Sequence, residues 1–208
     1  MTVEQLMSAA SVIPVLTVGD RADSAPLAKA LAAGGLRVIE MTMRTADALT
    51  IMAEMKQASP ELIVGMGTLR TADDVGAAVR AGADFLVSPG LTPELVPALL
   101  DAGIPCLPGV ATASEAMAAA ALGFSGLKFF PAEPAGGIDY LKALHGPLPD
   151  IHFCPTGGIS AEKARDYLAL PNVGCVGGSW IAPGKLVSAG AWDDITANAR
   201  LAESLKSG

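Results

Sequence analysis

IHFCPTGGISAEKARDYLALPNVGCVGGSW, residues 151–180, is the stretch from which the architecture can be read. It opens on the strand-like run IHFCPTGG (151–158), passes through the helical segment SAEKARDYLAL (160–170) with Ser160 in the N-cap place, and returns to VGCVGGSW (173–180). Strand, helix and strand within about thirty residues make one βαβ unit, whose two strands run parallel. Both strands end in paired glycines, in PTGGIS (155–160) and VGGSWIAPG (176–184). Consecutive glycines bare their backbone N–H groups, and a helix start adds a positive dipole end, so each turn can cradle a phosphate. One Gly-Gly pair is more often a tight turn. Two on consecutive late strands point to a ligand.

The same unit repeats toward the N-terminus. Strand-like runs occur at 12–18, 36–43, 62–69, 84–90, 105–110 and 127–133, followed by the two at 151–158 and 173–180. Alanine-rich helical segments separate them, among them 24–35, 45–59, 71–83, 92–103, 112–123 and 160–170, often opened by Ser or Thr and closed by Gly. Eight near-continuously apolar strands, each followed by a helix, predict a (β/α)8 TIM barrel, with the helix-like segment 2–10 across its N-terminal mouth. An open doubly wound sheet is the alternative. The barrel is preferred because no early G-x-G-x-x-G turn occurs and the glycine turns follow strands seven and eight, where many barrels hold phosphate. Without any linker or compositional break, residues 1–208 are expected to form a single domain.

Composition excludes other classes. The net charge is −7 and lysine and arginine do not cluster, which argues against nucleic acid as a partner. Mean hydropathy is +0.44, but Gly, Pro or charge interrupts the apolar runs before the roughly 20 residues that span a bilayer, and the N-terminus has no basic leader. No membrane association and a cytoplasmic location are expected. Cys106, Cys154 and Cys175 lie far apart in strand-like segments without C-x-x-C spacing, and are expected to be core thiols.

Strand parity then selects candidate chemistry. In LRVIEMTM, Val38, Glu40, Thr42 and Arg44 share one face, leaving Ile39, Met41 and Met43 for the helix layer. In GLKFFPAE (126–133), Lys128 and Phe130 face inward while Leu127 and Phe129 face the helices. Two inward cations and a carboxylate near strand C-terminal ends form either an internal ion-pair network or a site. Position favours the site, because strand C-terminal ends are where barrels meet substrate. Apolar surroundings favour the uncharged form of an amine, and a free amine is a nucleophile toward carbonyls. His145 and His152 fall away from that end, so no metal site is expected, and no cofactor is implied.

GLRVIEMTMRT, GMGT, VSPG, LKFFPAE, FCPTGGIS and GGSW together resemble the 2-keto-3-deoxy-6-phosphogluconate (KDPG) and 4-hydroxy-2-oxoglutarate aldolases over nearly the whole chain. The resemblance implies a class I aldolase, usually a homotrimer, with a small keto-acid substrate split to pyruvate and glyceraldehyde 3-phosphate. It places the Schiff-base lysine at Lys128 and the acid/base carboxylate at Glu40. Arg44 and Thr68 then hold the pyruvyl part, Pro89 and Phe130 shape the pocket, and Thr156, Gly157 and Gly158 line the site. The phosphate is reached by the glycine turns, Gly157 and Gly158 with Gly178 and Ser179. Met66, between the glycines of GMGT, departs from the alanine expected there and bears on substrate preference. The aldolase for the galactonate-derived isomer is a second enzyme reading, and a barrel that only binds or isomerises a phosphorylated metabolite is a third. An inward lysine beside a carboxylate favours covalent chemistry over the last.

Overall fold

The computed structural model describes residues 1–205. Parallel strands alternate with helices throughout, as an α/β fold requires. The strands are β1 (Val12–Leu16), β2 (Val38–Thr42), β3 (Ile63–Gly67), β4 (Leu86–Val87), β5 (Cys106–Leu107), β6 (Gly109–Val110), β7 (Gly126–Phe129), β8 (His152–Pro155) and β9 (Val176–Gly178). They pair in the orders β5-β4-β3-β2-β1-β9 and β6-β7-β8, a six-stranded and a three-stranded parallel sheet. Isolated parallel bridges, Phe153 to Val173 and Thr156 to Gly177, run between the β8 and β9 segments.

The strand expected over 105–110 is divided at Pro108, which has no N–H to give to a ladder. Its carbonyl still accepts from Lys128 N at 2.9 Å. The runs at 84–90 and 173–180 contribute only two and three strand residues. The residues that follow these strands, Pro89 and Ser179 among them, lie beyond their C-terminal ends.

Helices with a side-chain cap stand where expected. Thr71 and Thr112 make capping boxes with Asp74 and Glu115 ahead of α4 (Ala72–Arg80) and α6 (Ala113–Ala121), and Ser160 caps α8 (Ala161–Leu168). Two helices outside the segments singled out above, α7 (Gly137–His145) and α10 (Trp192–Glu203), start at Gly136 and Ala191 with no side-chain cap. Helices also form in the expected segments 24–35, 45–59 and 92–103, though no side chain caps them.

The sheet separates two apolar layers. Ile39, Met41, Leu127, Phe129 and Phe153 belong to the outer one, shared with the helices. There Phe129 stacks on Tyr140 at 5.7 Å and meets Phe153 edge-on at 6.3 Å. On the inner face, Val38, Phe85, Val87, Leu107, Cys154 and Cys175 pack with Leu6 and Met7 of α1 (Val3–Ala9). Thr2 and Gln5 form a capping box that starts this helix, and its Leu6 and Met7 close the N-terminal end of the inner layer. Gly126 and Gly174 make room for it, since a Cβ at either would press on Met7. All three cysteines are free and buried, and burial pushes the Cys106 thiol up to about 12. Among the described residues, no helix is long and apolar enough to cross a membrane.

Candidate active site

The two charged side chains selected by parity meet on the inner face. Lys128 Nζ donates to Glu40 Oε1 at 3.2 Å, with each side chain only 5% exposed. Register explains the meeting. Glu40 pairs with Val15 on β1 and Gly65 on β3, while Lys128 is flanked by Gly109 on β6 and Cys154 on β8. The Phe130 ring lies beside the ammonium, its centroid 5.4 Å from Nζ, where the π face favours a cation. Desolvating two opposite charges costs several kcal/mol per ion, and their attraction returns it only with good geometry. The pair is poor value as a stabilising device.

Room for it comes from missing side chains. A Cβ on Gly67 would collide with Oε1 of Glu40 and lie 2.6 Å from its Cδ. A Cβ on Gly65 would strike the Phe85 ring, and one on Gly109 would strike the Pro89 backbone. The two glycines of GMG thus face inward, one admitting an aromatic ring and the other the carboxylate. Met66 between them is fully buried in the outer layer. Its side chain does not reach the site, so the substrate effect attached to it above has no contact to act through.

One inward position nearer the C-terminal end, an open cleft is lined by Val15, Arg44, Phe130, Thr156, Gly157, Gly158, Ile159, Gly177 and Ser179. β2 ends at Thr42, so Arg44 lies in the following turn and is exposed, not carried inward on the strand. Its Nε donates to Thr68 Oγ1 at 3.2 Å. Thr68 has φ +64°, a left-handed backbone costing a β-branched residue about 1–3 kcal/mol. That cost turns its hydroxyl to the guanidinium.

Thr156 is 6% exposed. Its hydroxyl fits because Gly177 has no Cβ, which would overlap Oγ1. Gly157 and Gly158 have φ of +108° and +81°, both in the region that favours glycine. Ser179 is exposed and lines the cleft. Gly178 points the other way: a Cβ there would stand 2.8 Å from Trp180 Nε1 and 3.2 Å from a Val12 methyl. Pro89 is exposed, its backbone stacked on Gly109 and outside the cleft lining. Gly67 and Gly177 were not singled out above. Applying strand parity to 175, 177 and 179 would have found Gly177, which shares the inward face with Cys175 and Ser179.

The histidines lie elsewhere. His145 ends α7, and His152 is exposed at the start of β8, beside α1.

The chain is similar to known proteins over most of its length. The family model described as KDPG and KHG aldolase matches residues 3–198. The 2-dehydro-3-deoxy-phosphogluconate aldolase of Pseudomonas aeruginosa is 48% identical over 193 residues, covering 93% of this chain and 88% of its own. The KHG/KDPG aldolase of Escherichia coli is 44% identical, covering 95% and 92%. Among solved structures, the KDPG aldolase of Legionella pneumophila, with pyruvate captured as a covalent carbinolamine, superposes with a TM-score of 0.94. It is 42% identical, covering 96% of this chain and 97% of that one. The matched span contains every residue of the buried pair and of the cleft, and on that evidence the chain belongs to the KDPG and KHG aldolase family.

Proposed function

We propose that this protein is a class I aldolase that cleaves 2-keto-3-deoxy-6-phosphogluconate to pyruvate and glyceraldehyde 3-phosphate. The same steps split 4-hydroxy-2-oxoglutarate to pyruvate and glyoxylate. The carrying observation is the buried hydrogen bond from Lys128 to Glu40 beneath an anion-friendly cleft. The carbinolamine named for the Legionella relative supports a covalent route.

Proton transfer along the 3.2 Å bond from Lys128 to Glu40 frees the amine. The amine attacks the keto carbon, giving a carbinolamine whose loss of water leaves an iminium. Protonated Glu40 gives its proton to the departing hydroxyl, which leaves as that water, and the restored carboxylate then takes the C4 hydroxyl proton, directly or through a water. The C3–C4 bond breaks, its electron pair moves into the iminium, and the aldehyde leaves. Glu40 then returns the proton to C3 of the enamine, and hydrolysis frees pyruvate and the amine. Arg44, steadied by Thr68, meets the substrate carboxylate with a planar fork that fixes the iminium's orientation. Thr156 and Phe130 line the reacting centre. The phosphate takes the far end, at Gly157, Gly158 and Ser179 with the Gly178 backbone, which aligns the scissile bond through remote contacts.

We read the sheet as a closed (β/α)8 barrel in which β5 and β6 count as one strand and the β8–β9 bridges complete the ring, all within one domain of residues 1–208. We propose a cytoplasmic homotrimer. Exposed Leu100 on α5 (Val96–Asp101), Met117 on α6 and Leu122 just after it offer apolar surface for it, and sedimentation tests the assembly.

Borohydride with pyruvate tests the chemistry. The expected result is inactivation and a mass increase on the peptide holding Lys128. An adduct on another lysine, or none, removes the Schiff-base assignment. Activity should also survive a chelator.

A further inference from the structure

The aldolase steps above make no use of Glu133, the acidic residue that closes FFPAE. Its backbone N–H donates to the Gly157 carbonyl at 3.1 Å, and that of Ala132 donates to the Thr156 carbonyl at 2.8 Å. The loop after β7 thus holds two consecutive carbonyls of the PTGG turn. The Glu133 carboxylate reaches the helix that leaves this turn. Oε1 accepts from the Tyr167 hydroxyl at 2.5 Å, and Oε2 pairs with Lys163 Nζ. Tyr167 is fully buried, a fixed post rather than a swinging surface group.

Gly158 lies under the Glu133 stem, where an added Cβ would stand 2.9 Å from that of Glu133. Gly157 packs against Pro131 in the same loop, its added Cβ 3.3 Å from the proline Cα. One residue therefore grips the glycine turn through its main chain and the helix behind the turn through its side chain. The Lys163 ammonium and the Tyr167 hydroxyl hold the Glu133 carboxyl below its usual range, so the grip is ionised at neutral pH.

We propose that Glu133 is a positioning residue for the phosphate end of the substrate, locking the glycines 157–158 of the turn to α8 so that their backbone is set for the anion before substrate arrives. This rests on the aldolase reading and its phosphate turn. A donor set fixed in advance needs no ordering on binding, and misplacement of about 1 Å costs up to 10²-fold. Loosening should be felt only by substrates that use the turn. 4-Hydroxy-2-oxoglutarate carries no phosphate.

In the full chain, Glu133→Ala is expected to raise KM for the phosphorylated sugar acid about tenfold, with kcat within about threefold. Inhibition by inorganic phosphate should weaken in parallel. Cleavage of 4-hydroxy-2-oxoglutarate and pyruvate trapping on Lys128 should stay within about twofold of wild type. Glu133→Gln keeps an acceptor for Tyr167 and loses the ion pair, whereas Tyr167→Phe does the reverse. Each should give part of the KM change, and they carry the test if Glu133→Ala does not fold. An unchanged KM in the folded variants, or an equal loss on both substrates, overturns the proposal. If wild type itself fails to cleave the phosphorylated acid, the aldolase reading falls and takes this inference with it. That result is distinct from a working wild type matched by its variants.

Discussion

Two lysine–glutamate pairs stand near the C-terminal end of the sheet, and they differ in almost everything but composition. Lys128 and Glu40 have side chains each 5% exposed, with the Phe130 ring beside the amine. Lys163 and Glu133 have side chains 53% and 26% exposed, and the carboxylate is shared with Tyr167. Water screens the second pair, so its attraction is small and its desolvation cost is small too. The first gives up its hydration almost entirely, a cost that a fold seeking stability avoids by using apolar residues there. Burial therefore separates the lysine proposed to react from the one proposed to tether, where residue type and pairing do not.

The largest test of that contrast removes the buried amine. Lys128→Met should lower cleavage by at least about 10⁴-fold, since no other group can form the iminium. It should also destabilise by about 3–5 kcal/mol at neutral pH, because Glu40 is left buried and unpaired. Lys128→Met combined with Glu40→Leu should return stability to wild type or above while remaining inactive. Calorimetry on the two variants decides: a double variant as unstable as the single one would make the pair structural.

Glu40→Gln separates the chemical steps. The variant should fold and still be trapped on pyruvate at Lys128, while steady-state cleavage falls by about 10²- to 10⁴-fold. Exchange of the pyruvate methyl protons with deuterated solvent should fall with it. Wild-type exchange in a folded Glu40→Gln protein would remove Glu40 from the proton transfers. Gly67→Ala reaches the same carboxylate from the next strand. Its Cβ would displace the Glu40 carboxylate from Lys128, and a loss of about 10²-fold in kcat is expected with only modest change in stability, read by kinetics and thermal melting together. Unaltered kcat would mean that the position of Glu40 is not what Gly67 secures.

These residues also show what a sequence can reveal. Glu40 and Lys128 were legible because strand period alone sets their face, and a charge on an inward apolar face stands out. Gly67 and Gly177 were harder, since their meaning lies in a neighbouring strand's side chain, Glu40 for one and Thr156 for the other. The Glu133, Lys163 and Tyr167 group gave no local signal at all. Its members are 30 and 34 residues apart and meet only because β7, β8 and α8 are adjacent in space. Helices with a Ser or Thr cap were readable, while α7 and α10 lack that punctuation. Strand ends were overextended into loops, which is why Arg44 was assigned an inward strand position that its turn does not have.

At the cleft, the contrast becomes one of substrate ends. Ser179→Ala removes a hydroxyl that lines the cleft at the end proposed for the phosphate. A hydrogen bond to a charged group contributes about 1.5–3 kcal/mol, so preference for the phosphorylated acid over 4-hydroxy-2-oxoglutarate should fall about tenfold or more. Equal losses on the two substrates would point to a distorted cleft.

The smallest effect belongs to the exposed pair. Lys163→Met leaves the Tyr167–Glu133 bond in place and removes a half-exposed ammonium, so the expected stability change at neutral pH is at most about 1 kcal/mol, or about 2–4 °C in Tm. The sign of its pH dependence follows from Glu133. Lys163 first, then Tyr167, depresses the Glu133 carboxyl in the folded state relative to an unfolded value of about 4.3. A depressed folded value stabilises the protein above the unfolded one, and the gain is lost as pH falls through the folded value. The Tm difference between wild type and Lys163→Met should accordingly be full near neutrality and shrink as pH drops below about 4.3. Salt should shrink it as well, since the pair is open to water. Melting curves at neutral and acid pH, each at low and high salt, measure all of this in one series. A difference of several kcal/mol that ignores both pH and salt would mean that the exposed pair behaves like a buried one, and the distinction drawn between the two lysines would fail at its weaker end.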